Sequence, residues 1–362
     1  MNKCSAEGFV FTRIPFPYSM KEKMSKMIKE NKRPIAFVYI MITSLLVFIG
    51  MFIASMAFGS ADTSIKDVWL ALSANAETEA SLMLREIRLP REIAAIFVGA
   101  ALAVSGAIMQ GLTRNPLADP GLLGLTAGAN AALAITLVAF PSVNYFGLMI
   151  ACFIGAAVGT IMVFGIGMVQ KGGFSPIRIV LAGAAVSAFL YAVAEGVGIY
   201  FKLSKSVSMW TSGGLSGTNW EHLQVIVPFI IAGIFLSVLL SRQLTILSLN
   251  EEVAVGLGQK TTQVKVILYI IIILLAGASV ALVGNMTFIG LMIPHIVRAI
   301  VGTDYRFILP MSAIAGAIFM LLADTMGRTI NAPYETPVAA IVAVIGLPFF
   351  LMIVRKGGRL FS

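Results

Sequence analysis

Residues 84–128 read LREIRLPREIAAIFVGAALAVSGAIMQGLTRNPLADPGLLGLTAG. An entrance of arginine and proline, Arg88-Leu-Pro-Arg91, opens onto about twenty apolar positions rich in Gly, Ala and Ser. The charged turn Asn115-Pro-Leu-Ala-Asp-Pro120 follows, and a second apolar run begins at once. A soluble core helix gains nothing from that design. A membrane helix enclosed by other helices does, because lipid tails supply no hydrophobic drive between helices and small residues let backbones approach.

The rest of the chain repeats the pattern. Of 362 residues, 58% are hydrophobic and only 12% charged, about half the charge of an ordinary globular domain. Ten apolar runs account for it: about 34–58, 88–111, 121–139, 147–169, 178–200, 223–241, 264–283, 288–301, 307–326 and 337–354. Their length excludes a β-barrel, whose strands alternate over about ten residues, and predicts an all-α polytopic membrane protein. The domain division is a basic tail over 1–33, expected to be disordered, and a ten-helix transmembrane domain over 34–356. The eighth run is short and carries Pro294, His295 and Arg298; protein must surround it, since lipid-exposed irregular backbone is not tolerated.

Where the charges lie decides what the net charge of +9 means. Eight Lys and Arg crowd residues 1–33, just ahead of the first run, the flank that the positive-inside rule puts in the cytoplasm. With both termini inside, 19 of the 26 cations fall on cytoplasmic segments and 7 on external ones. That excludes nucleic-acid binding as the purpose of the charge. Cys4 and Cys152 stand alone and imply no disulfide or metal framework.

Four constellations could carry function. Arg88, Arg91 and Arg328 lie on the external side against the charge rule. They either form a docking surface for acidic side chains of an external partner, or snorkel and pair with Glu86, Glu92, Asp324 and Glu335. The Asn115–Pro120 turn forbids a continuous helix and is either a plain turn or a constriction at the inner mouth of a pathway. Residues 248–259, SLNEEVAVGLGQ, predict two short helices broken at Gly256 or Gly258, shaped for the groove of a soluble partner or merely a solvated loop. The adjoining GLGQKTT is no P-loop, because Gln259 rather than glycine precedes Lys260. Finally, Glu195 and His295 lie inside spans, where ionisable groups suggest function. His295 fits packing better than metal ligation, and Glu195 either lines a pathway or pairs with a neighbouring helix. Trp210 and Trp220 flank a Gly/Ser turn as interfacial anchors. A faint echo links Gly99–Gly106 with Gly277–Gly284, as in an inverted repeat.

Read in order, RLPR at 88–91, GAALAVSGAIMQ at 99–110, NPLADPGLLG at 115–124, LAG at 181–183, W-x-x-G-G at 210–214, VALVGNMTFIGLMIPHIVR at 280–298, D-x-x-x-R at 324–328 and ETPVAAIVAVIGLPFF at 335–350 resemble the iron-siderophore and vitamin B12 permease family (FecCD type), the membrane subunits of type II ABC importers. The resemblance implies ten spans, no enzymatic activity and no cofactor held by this chain. ATP and Mg are used by two cytoplasmic ATP-binding subunits, a second permease copy completes the pathway, and an external substrate-binding protein delivers an iron-siderophore complex. The family's minority cargoes are haem and vitamin B12; an ion-driven secondary transporter is the alternative from another class. The implied setting is the bacterial plasma membrane. The resemblance also implies docking at Arg88, Arg91 and Arg328, and a cytoplasmic gate at Asn115 and Leu117 with Pro176 and Ile177. A Pro-Ile pair departs from the small hydroxyl residues usual there. ATPase coupling falls to Asn250, Glu251, Glu252, Val253, Ala254, Gly256, Leu257 and Gly258.

Overall fold

Helix α1 spans Met20–Ala57 and so begins inside the basic tail rather than at residue 34. Lys, Glu and Met, all strong helix formers, fill residues 20–33. The computed structural model describes residues 20–58, 65–73, 78–168, 176–203, 214–332 and 334–355, and residues 44–362 cluster as one unit. After α2 (Ile65–Leu72) and α3 (Glu79–Met83), a π-helical turn over Leu84–Arg88 leads directly into α4 (Leu89–Thr113). Pro90 is the second residue of α4, directly after the π-turn in a helix that continues from α3. Arg114, in the left-handed region at φ 51°, ends it.

The remaining helices are α5 (Leu125–Ala139), α6 (Tyr145–Met168), α7 (Pro176–Tyr200), α8 (Trp220–Leu239), α9 (Ser241–Leu249), α10 (Glu251–Gly256), α11 (Thr261–Val283), α12 (Ile289–Val301), α13 (Tyr305–Thr329) and α14 (Val338–Arg355). Among the described residues there is no strand. Among the described residues seven helices are long and apolar enough to cross a membrane, and α5, α12 and α14 are shorter apolar helices. Together they account for the ten runs.

Helix α4 is the axis of the packing. It is buried along nearly its whole length and is packed by α8, α9, α11, α12 and α13. Helices α5, α6 and α7 form a second group, which α11 joins to the first through α5 and α6. The small residues of 99–106 do what their pattern predicts. A Cβ at Gly99 would strike the Gly316 carbonyl of α13, and one at Gly106 the Gly290 carbonyl of α12. Only glycine permits such backbone contact. The echo at 277–284 is not packed alike: Gly277 faces the Phe153 ring, and Gly284, at φ 72°, ends α11.

Two helices are half-length for a physical reason. Pro116 and Pro120 interrupt the chain ahead of α5, and a 3-10 turn over Pro120–Leu123 replaces its first turn. Ahead of α12, residues 284–287 are non-helical and Phe288 is left-handed at φ 66°, packed over Gly346 of α14. The two breaks meet: Asp119 and Pro120 lie against Gly290 beside the Leu102 carbonyl of α4.

Candidate functional site

The π-turn ahead of α4 sets the arrangement of the arginines. Its extra residue per turn rotates the helix surface, and Arg88, its last residue, and Arg91 of α4 point towards different neighbours. All three arginines are buried, at 6%, 8% and 5% exposure for Arg88, Arg91 and Arg328. Arg88 Nη1 donates to the Met56 carbonyl of α1 at 2.7 Å. Arg91 Nε and Nη2 each lie 2.9 Å from Asp324 Oδ1, and its Nη1 donates to Glu335 Oε1 at 2.7 Å. Arg328 Nη2 donates to Glu92 Oε1 and, at 3.1 Å, to Ser55 Oγ. Its Nε sits 3.0 Å from Asp324 Oδ2, an ion pair rather than a directed hydrogen bond. Ser55 Oγ in turn donates to Glu92 Oε2.

The arginines therefore find Glu92, Asp324 and Glu335 within their own chain. Glu92 and Asp324 are wholly buried, whereas the Glu335 side chain is 43% exposed. Burial raises the Glu335 pKa, but hydrogen bonds from Arg91 and Ser216 outweigh it and hold the carboxyl below its usual value. A cavity of about 350 Å³ opens beside Arg91 and Glu335, lined also by Glu86, Ile87 and residues 215–219.

The opposite ends of α4 and α13 carry a second polar set that sequence reasoning missed. Gln110 Nε2 donates to the carbonyls of Gly290 and Leu291 at 3.3 and 3.1 Å, satisfying α12 where its small first turn presses on α4. Arg298 Nη2 donates to Gln110 Oε1 at 2.9 Å and to Tyr305 Oη at 3.3 Å. Thr245 of α9 accepts from the Tyr305 N–H at 3.0 Å and donates to Asp304 Oδ1 at 3.2 Å. Asp304 caps α13 and pairs with Arg306; burial raises its pKa, and the bonds to Arg306 more than reverse that. The signal was present: a lone amide inside an apolar run needs buried partners.

At the same end, Asn115 Oδ1 accepts from the Leu117 N–H at 3.0 Å and shapes the turn. Burial pushes the Asp119 carboxyl up to about 6, opposed by a hydrogen bond from the Gly121 backbone. Pro176 opens α7 at the position proline favours; its side chain and that of Ile177 lie outside the described residues. Residues 248–259 hold one short helix rather than two: α10 ends at Gly256 as expected, and the break from α9, which lies almost wholly before this stretch, falls at Asn250. Asn250 is extended and caps Glu252 N–H through its side chain, and an Asn at that position is among the strongest helix starters. Gly256 ends α10, and Gly258 takes φ 77° in the turn beyond. Ala254 points inward, Glu251 pairs with Lys265 at 2.6 Å, and Val253, Val255 and Leu257 are left exposed at 46%, 58% and 68%.

Two further expectations are placed. His295 is buried against the Phe349 ring, and His222 stacks on Tyr145. Glu195 is exposed on α7 and, among the described residues, makes no ion pair. Trp210 lies outside the described residues.

Against known proteins, residues 45–356 match the FecCD transport family, a span holding nine of the ten apolar helices and the second half of the first. This chain is a member of the FecCD transport family. Among its relatives, the iron(3+)-hydroxamate import system permease protein FhuB of Bacillus subtilis is 41% identical over 92% of this chain and 88% of its own length. The Fe(3+)-citrate import system permease protein YfmD of the same organism is 40% identical over 88% of this chain and 95% of its own. A solved structure described as an inward-facing conformation of a metal-chelate type ABC transporter superposes with TM-score 0.75 at 26% identity, covering 88% of this chain and 99% of that one. For a FecCD member, the helices that hold the arginine cluster and the Gln110 set are thus the transport fold itself rather than an addition to it.

Proposed function

We propose that this chain is the permease subunit of an ATP-driven importer that passes a ferric siderophore complex across a bacterial plasma membrane. Its termini lie in the cytoplasm, so the arginine cluster faces outward and the Asn115 and Asn250 turns face inward. An external binding protein docks by its acidic side chains at the Arg88, Arg91 and Arg328 end. Cytoplasmic ATP-binding subunits seat on α10, and the chain itself hydrolyses nothing and holds no cofactor. Asn115 and Leu117, with the start of α7 at Pro176 and Ile177, gate the inner mouth.

The observation that carries this reading is the family match over residues 45–356, from the middle of the first apolar helix through the last. Two features support the partners. Helix α10 leaves Val253, Val255 and Leu257 uncovered, the apolar anchors that a groove in a soluble partner would take up. The exposed surface of α7 combines large apolar side chains, Leu181, Phe189 and Ile199, with the small Ala184, Ala188 and Ala192 and the carboxylate of Glu195. A carboxylate against lipid costs about 3 kcal/mol or more, and small residues suit close helix contact. A second permease copy enclosing a watered path accounts for both.

The test is reconstitution in liposomes. Uptake of a radiolabelled ferric hydroxamate chelate is expected only with the binding protein outside and the ATPase and ATP inside. Robust uptake by this polypeptide alone, driven by an ion gradient, would reject the importer reading.

A further inference from the structure

The two carboxylates on Arg91 are unequal. Asp324 is wholly buried and shared with Arg328, so it cannot leave without taking a partner from two guanidiniums. Glu335 is 43% exposed, lies on the segment between α13 and α14, and holds Arg91 through one oxygen only. Its second oxygen accepts from Ser216 Oγ at 2.6 Å. That bond ties the 214–219 segment, itself anchored by the Gly214 N–H on the Val283 carbonyl at 2.9 Å, to the arginine cluster. The cavity of about 350 Å³ lies where Glu335, Ser216 and Arg91 meet. Arg88 and Arg328 do not line it.

Charge completes the picture. Arg88, Arg91 and Arg328 are matched by Glu92, Asp324 and Glu335. If Glu335 swings out, the cluster is one negative charge short, and the vacated donor is Arg91 Nη1, at the wall of the cavity. A guanidinium whose other edge is already fixed is pre-organised to accept a new carboxylate.

We propose that this cavity receives a carboxylate side chain of the external docking protein, that Arg91 Nη1 is the donor it takes, and that Glu335 is the in-chain carboxylate it displaces. Displacement also breaks the Ser216 bond and frees the 214–219 segment from the mouth. The inference rests on the docking reading above and narrows it from three arginines to one exchange. Glu335 thus holds the site closed in the free permease and sets a threshold that only a well-placed acid overcomes.

The experiment uses the whole importer, permeases and ATPase subunits together, in nanodiscs. Binding of the system's own binding protein, loaded with a ferric trihydroxamate chelate, is measured at several salt concentrations. Glu335→Gln is expected to tighten binding about fivefold, or about 1 kcal/mol, by removing the competitor. Ser216→Ala moves affinity the same way by about twofold or less, since the hydroxyl only steadies Glu335. A merely structural role for Glu335 predicts weaker binding instead. Unchanged or weaker binding in Glu335→Gln, with wild-type affinity still falling as salt rises, overturns the exchange and leaves docking standing. Wild-type affinity indifferent to salt overturns the docking reading itself.

Discussion

The two ends of α4 solve opposite problems. At the Arg91 end six charged side chains are gathered inside the protein and matched to one another, and only Glu335 reaches out. At the Asn250 end a neutral amide, Gln110, links α4 to Arg298, Tyr305 and two carbonyls, while α10 leaves Val253, Val255 and Leu257 uncovered. The first end is complete within one chain. The second presents apolar surface that no other described residue covers. The difference teaches where mutations act: inward charges control whether the bundle forms, and outward apolar residues control what it works with.

The hardest blow to that contrast is Asp324→Ala. It leaves Arg91 with Glu335 alone and Arg328 with Glu92 alone, and breaking a buried pair costs about 3–5 kcal/mol; thermal unfolding of the purified protein is expected to show the loss, with reduced expression. Retained stability would mean the cluster is not structural. Gly106→Ala comes next, driving a methyl group into the Gly290 carbonyl at about 1–3 kcal/mol, read by the same melt. At the other end Leu257→Asp is expected to leave the melting temperature alone and lower ATP-dependent uptake by about tenfold, the scale of a lost interface anchor. Equal damage to stability would erase the contrast. Lys265→Ala removes a half-exposed pair with Glu251 and is worth below about 1 kcal/mol. The smallest effect is that of acid. The Glu335 pKa is held below the ordinary glutamate value of 4.5, so its contribution is complete at neutral pH and lost as pH falls through the lowered value. Melts of wild type and Glu335→Gln should therefore converge in acid.

Ten helices were legible because apolar length alone separates a span from a loop, and the match of α14 to 337–354 needed nothing more. The glycines of α4 were legible as contact points, though not which helices they meet. The arginines announced themselves by breaking the charge rule, and their acids could be named but not assigned. Pairing joins Arg91 to Asp324 and Glu335, and Arg328 to Glu92, across 233, 244 and 236 residues, and no local period encodes such distances. The π-turn that aims Arg88 was hidden for another reason: a single inserted residue leaves the hydropathy pattern unchanged. The stop at Gly256 was legible, but the break at Asn250 was not, because glycine was weighed as a helix stop ahead of asparagine as a helix start.

The glycine contacts of α4 also restrict how this protein can change shape. Where the main chains of Gly99 and Gly316 touch, and likewise Gly106 and Gly290, sliding by even one turn drives a side chain into peptide oxygen. Helices α4, α12 and α13 therefore travel together through any transport cycle, like a keel. Rearrangement falls to helices outside that set, α7 foremost, which packs on α5 and α6, and spin labels on α4 and α13 should keep their separation while one on α7 moves.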